Sequence, residues 1–216
     1  MDQTETLSKW ELKLERFLKD YIPTDPSHDS AHFKRVWKIA KEIAIQEEKV
    51  DLLVVLAAAF FHDFESLPKD HPEKSSASRV SAKRACDELK LMGFPSEKLE
   101  LVAHAIEAHS FSGGIEPLTI EAQIVRDADR IEAMGAIGIA RIFTVGGSIG
   151  STPFHPTDPL AKNRSLDDAS YALDHCFKKV FLLENGLCTR GGKTIGSARA
   201  KFMREYVNQL VSEANL

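Results

Sequence analysis

The sequence predicts an all-α fold. Apolar residues recur three or four positions apart along most of the chain, no segment alternates apolar and polar residues as a half-buried strand would, and Pro or Gly stands where the periodic stretches end. With 216 residues the chain can bury a sizeable core, and it reads as one domain over residues 1–216.

The first helix covers Leu7 to Asp20, where Leu7, Trp10, Leu14, Phe17 and Leu18 make one buried stripe among Lys, Glu and Arg. Tyr21-Ile22-Pro23-Thr24-Asp25-Pro26 ends it. Ala31 to Gln46 forms a second helix, apolar at Phe33, Val36, Trp37, Ile39, Ala40 and Ile43, with Asp29 or Ser30 as N-cap and His28 and His32 near its start. A third helix opens at Asp51 and is apolar all round, so it is buried. It runs into Phe60-Phe61-His62-Asp63-Phe64-Glu65, where an imidazole beside a carboxylate must be hydrogen-bonded, ion-paired or metal-bound to offset its desolvation. Pro68 and Pro72 mark a loop. Ser75 to Met92 is helical and closed by Gly93 and Pro95, and Ser96 caps a helix with Leu99, Val102, Ala103 and Ile106 inside and His104 and His109 toward its end. Leu118 to Arg141 makes two helical segments. Residues 144–165, rich in Gly and Pro, form a long irregular loop of the kind that acts as a lid or binding loop, and helices over Leu166 to Glu184 and Ser197 to Glu213 complete the chain.

Hydrophobic content of 43% and charged content of 28% argue against a disordered or membrane-embedded chain. A net charge of -4 gives no general pull toward nucleic acid polymers or anionic lipid, so a small substrate is expected. Cys86, Cys176 and Cys188 are odd in number and lack the paired spacing of zinc or redox motifs. The start, Met1-Asp2-Gln3-Thr4-Glu5-Thr6, is acidic and polar, and the apolar run from Leu52 to Phe61 is too short to span a bilayer. The expected location is cytoplasmic, without a membrane partner, and a homo-oligomer is compatible with the composition.

Side chains suited to one metal ion come from three separate helices: His32, His62, Asp63 and Asp129. Imidazole nitrogens with carboxylate oxygens suit manganese, iron, cobalt, nickel or zinc better than calcium, with magnesium also in range. Four protein ligands leave an octahedral ion room for water and a substrate oxygen, as a catalytic rather than a structural site requires. Residue by residue the plainer alternative is a hydrogen-bonded core side chain, and for His32 alone it is the stronger one.

The order of these residues adds to their chemistry. His32 in His32-Phe33-Lys34-Arg35-Val36, then His62-Asp63, then Asp129 in Asp127-Ala128-Asp129-Arg130 resembles the His, His-Asp, Asp signature of the HD-domain metal-dependent phosphohydrolase superfamily. Ser27 to His32, Ile106 to Phe111, Asp127 to Arg141 and the C-terminal helices are similar to the YpgQ/YedJ-like bacterial HD hydrolases, so the resemblance covers nearly the whole chain from Ser27 onward. It implies an orthogonal helical bundle of HD type, with a metal-site core over residues 27–144 and C-terminal helices over 166–213, and one divalent ion held by His32, His62, Asp63 and Asp129. It also implies hydrolysis of a nucleotide or another small phosphate ester or anhydride. Some members cleave nucleoside triphosphates to monophosphates and pyrophosphate, which makes a nucleotide pyrophosphatase the specific expectation. The family pattern points to Asp129 rather than Asp127; residues two apart on a helix face nearly opposite sides, which leaves Asp127 to orient a ligand from behind.

Phosphate binding needs cations, and Arg35, Lys74, Arg130 and Arg141 are the candidates because each lies in or beside a family-like segment. Solvated surface charge is their plainer reading, less so for Arg141, a lone charge in an apolar helix that needs a partner. His109, at a helix end before a Gly-rich turn, is the candidate for phosphate or leaving-group contact, with His104 pointing elsewhere. Asp63 is a catalytic candidate as well as a ligand. Glu65, three residues after His62, is the candidate general base, against a solvent-facing helix-end carboxylate. Three other patterns fail on spacing or context. His28-Asp29-Ser30-Ala31-His32 has Asp where a zincin has Glu; Gly191-Gly192-Lys193-Thr194 lacks the first glycine of a phosphate loop and reads as a loop and helix start; Gly146-Gly147-Ser148-Ile149-Gly150 lacks the dinucleotide fingerprint. A non-catalytic nucleotide-sensing module of HD type is the alternative function, disfavoured because such a pocket has no need of an open metal site.

Overall fold

The computed structural model describes residues 3–19, 30–65, 76–110 and 113–214. Its helices are α1 (Gln3–Lys19), α2 (Ser30–Ala44), α3 (Leu52–Phe61), α4 (Ala77–Leu91), α5 (Leu99–His109), α6 (Ile120–Glu132), α7 (Gly135–Ser148), the short α8 (Phe181–Leu183) and α9 (Arg190–Glu213). Among the described residues there is no strand, only a bridge between Thr152 and Tyr171, and no helix is long and apolar enough to cross a membrane. The expected loop at Pro68 and Pro72, Lys74, His28 and the N-cap of α2 lie outside the described residues.

The chain forms two compact units. One comprises residues 1–129 with 188–191, the other 130–187 with 192–216. In the first, α1, α2, α4 and α5 all pack on α3. That central place follows from sequence: every residue from Val54 to Phe61 is buried, leaving α3 no polar face to turn to water. Its start is held by Asp51, whose carboxylate accepts from Leu53 N at 3.1 Å and Val54 N at 3.3 Å. The Asp51 N–H donates to the buried Glu121 carboxylate at 2.9 Å, and Lys98 pairs with the Asp51 side chain. Asp51→Ala is therefore expected to lower stability by about 1–2 kcal/mol, seen as a lower urea midpoint at unchanged slope. An unchanged midpoint would show that the cap contributes nothing.

The second unit has its own core of Met134, Ile139, Ile142, Leu173, Val180 and Met203 with their neighbours. Here the structure departs from the expected elements in three places. The helix containing Arg141 continues through Gly146 to Ser148, and Gly146 there lets Ala172 approach: a Cβ would lie 2.6 Å from the Ala172 Cβ. Leu166 to Glu184 is not one helix. Arg164 grips the fully buried Asp174 with two bonds of 2.5 and 2.8 Å, and Asp167 N donates to the same carboxylate at 2.7 Å, which holds the chain in turns until a π-helical segment begins at Cys176. The last helix starts at Arg190 rather than Ser197. Gly191 is tolerated there because a Cβ would come within 2.9 Å of the Ile43 carbonyl, so the glycine serves close approach rather than a loop.

Candidate active site

The last carbonyls of a helix have no partner within it. His62 directly follows α3 and His109 is the last residue of α5, and each donates its Nδ1–H to the carbonyl three residues back: His62 to Ala59 at 2.9 Å, His109 to Ile106 at 2.5 Å. With Nδ1 committed as donor, the neutral ring carries its lone pair on Nε2. His109 Nε2 lies 3.3 Å from Asp63 Oδ1, and His62 Nε2 lies 3.7 Å from both Asp63 Oδ2 and Asp129 Oδ1. From α2, His32 brings its Nε2 to 3.1 Å from His62 Nε2 and 3.7 Å from Asp129 Oδ1. All three histidines are buried.

Two donor groups result, His32 with His62 and Asp129, and His62 with Asp63 and His109. The four residues expected as ligands thus come together around His62, with Asp63 grouped with His109 rather than with His32 and Asp129. Two imidazole nitrogens facing each other across 3.1 Å cannot both present lone pairs, so either a ring N–H or a metal ion stands between them. Neighbouring ligands of one ion with bonds of about 2.1 Å stand about 3.0 to 3.4 Å apart, close to the separations seen here. Mixed nitrogen and oxygen donors fit a divalent ion of the transition series or zinc.

The local field has the same sense. Burial disfavours a charged His62, but the Asp63 and Asp129 carboxylates and the Ala59 carbonyl outweigh it and lift its pKa from 6.5 to about 9. Burial also disfavours an ionised Asp129, yet His62, His32 and His109 hold its carboxyl well below the usual range. Because the folded pKa of His62 exceeds its unfolded value of 6.5, its protonation contributes fully below pH 6.5, and that contribution is lost as pH rises through about 9. Asp129, depressed on folding, adds stability above its ordinary value of 3.8 that is lost in acid. Chelator-treated protein is expected to lose on the order of a few kcal/mol of stability between pH 6.5 and 9, and manganese added at pH 9 to restore it by replacing the proton. Thermal melts across that range check this; a flat profile with no response to the ion would contradict it.

Other candidates are placed differently. The Glu65 carboxylate pairs with Arg84, whose guanidinium stacks 4.7 Å above the Phe64 ring. Arg35 is half-buried on α2, one turn beyond His32. Arg130 donates to the Gly186 carbonyl at 2.7 Å, and Arg141 pairs with the buried Glu132, the partner its apolar helix requires. Asp127 faces away from Asp129 and binds the backbone of Cys188 and Thr189, so its task is to tie down the start of α9. His104 Nε2 accepts from Leu118 N at 3.0 Å. Sequence reasoning missed Ser81 and Arg84 on α4. Ser81 lies on the buried small-residue face of α4 and Arg84 on its exposed side, and neither stands in a motif.

The HD domain family matches residues 30–134. The protein YpgQ of Bacillus subtilis (strain 168) is 33% identical over 195 residues, covering 88% of this chain and 86% of the relative. Among solved structures, Bacillus subtilis YpgQ in complex with ADP matches with a TM-score of 0.70 and 28% identity, over 99% of this chain and 97% of that one. An HD-superfamily hydrolase from Bacillus thuringiensis matches with a TM-score of 0.74 and 27% identity over 99% of each chain.

Proposed function

Because the chain belongs to the HD-domain family, we propose that it is a divalent-metal-dependent phosphohydrolase of small phosphate compounds, with a nucleoside triphosphate as substrate and a monophosphate and pyrophosphate as products. The observation that carries this is the convergence of imidazole and carboxylate donors from α2, α3, α5 and α6 around His62. Solution of the relative YpgQ with ADP supports a nucleotide ligand. His32, His62, Asp63 and Asp129 hold the ion. Once bound, it supplies Lewis acidity toward a phosphoryl oxygen and acidifies water.

The chain's own groups do the rest. His109 Nε2, beside Asp63, is placed to hold a proton and donate it to a phosphate or leaving oxygen. A site carboxylate, Asp63 or Glu65, takes the proton released by water; Glu65 must first leave Arg84. Arg35 and Lys74 neutralise substrate phosphates; Arg130 and Arg141, the other cationic candidates, are engaged with the Gly186 carbonyl and with Glu132.

The test is a screen of nucleotides, sugar phosphates and pyrophosphate with manganese, nickel, cobalt or magnesium, with products separated. Monophosphate plus pyrophosphate is the expected outcome. Loss of the terminal phosphate alone would replace the pyrophosphatase reading, and intact nucleotide recovered with every ion would favour a sensing module.

A further inference from the structure

Past Phe61 the helical ladder of α3 stops, yet the carboxylate of Asp63 must be aimed at two imidazoles at once. Its chain neighbours are held from α4. Phe64 donates its N–H to the Phe61 carbonyl at 3.1 Å. Both backbone groups of Glu65 go to a single hydroxyl: Ser81 Oγ accepts from Glu65 N at 2.8 Å and donates to Glu65 O at 3.1 Å. Ser81 is fully buried. Between these points the Phe64 ring is also buried, edge-on to Phe61 at 4.9 Å and tilted against Phe17 at 5.8 Å. The Phe64 ring and the Ser81 hydroxyl thus fix the two residues that directly follow Asp63.

We propose that Ser81 is a positioning residue of the metal centre: its hydroxyl fixes the Glu65 peptide and, through it, the aim of the Asp63 carboxylate. The inference rests on the reading of that carboxylate as a metal ligand. A residue that only satisfied two part-buried backbone groups would affect stability alone, for loss of the hydroxyl removes their shared partner at a cost of folding free energy whether or not a metal site lies nearby. Positioning predicts in addition an effect on the affinity for the ion, of the size seen when supports behind metal ligands are removed.

The experiment is calorimetric titration of manganese into the metal-free full chain, comparing wild type with Ser81→Ala, Ser81→Thr and Asp63→Ala, with exchange of the Glu65 amide followed by NMR. Ser81→Ala is expected to bind manganese about tenfold more weakly, to exchange the Glu65 amide faster, and to be rescued to within about twofold by the hydroxyl of Ser81→Thr. Alanine suits a helix and removes only one oxygen; should that variant fail to fold, Ser81→Cys, with a weak donor in the same space, is read in its place. Manganese affinity equal to wild type in a variant whose Glu65 amide has lost protection would overturn the positioning role while Asp63→Ala still binds weakly. If wild type takes up no manganese, or Asp63→Ala binds it as tightly as wild type, the ligand reading itself fails and takes this inference with it.

Discussion

Asp63→Ala is expected to lower turnover by at least about a thousandfold, because several kcal/mol of transition-state stabilisation depend on an ion that this carboxylate helps to hold. The same change removes one of the two carboxylates that raise His62. In the metal-free variant the fall in stability between pH 6.5 and 9 therefore becomes shallower. Steady-state rates with saturating manganese, together with melts of the chelated variant, measure both effects. Turnover within tenfold of wild type would remove Asp63 from the site.

The second large effect lies in stability. Asp127 is fully buried and accepts from Cys188 N at 3.0 and 2.9 Å, from Thr189 N at 2.8 Å and from Thr189 Oγ1 at 2.8 Å. Asp127→Ala takes the shared acceptor from these donors, of which those of Thr189 are buried, and removes a carboxylate from beside the start of α9, at a cost of about 3–5 kcal/mol. Asp127→Asn keeps an acceptor and recovers part of the loss. Urea unfolding measures it, and manganese affinity of the folded fraction is expected to stay near that of wild type. A loss below about 1 kcal/mol would show that other contacts fix this segment.

The same residue shows where sequence reasoning stops. Helical spacing sets Asp127 and Asp129 on opposite sides, and the structure finds them so, one toward Cys188 and the other toward His32 and His62. The start of α9 was not legible because the two residues just before it are held by Asp127 on α6, outside any local window. Residues 166–175 were misread as helix for a similar reason: their spacing suits one, but the Arg164 grip on Asp174 outweighs local propensity. The burial of α3 was legible because an element apolar all round has one place to go. Arg141 was legible as a charge in need of a partner, though not that Glu132 supplies it. Chemistry suggested a ligand set. The meeting of His109 with Asp63 was hidden, since it depends on two helix ends converging in space.

Anomalous diffraction from crystals grown with manganese bears most directly on the proposed metal centre. One peak per chain is expected, within roughly 2.0–2.3 Å of His32 Nε2, His62 Nε2 and oxygens of Asp63 and Asp129. A manganese-saturated crystal with no peak there, or with its strongest peak bounded by other residues, would contradict the assignment.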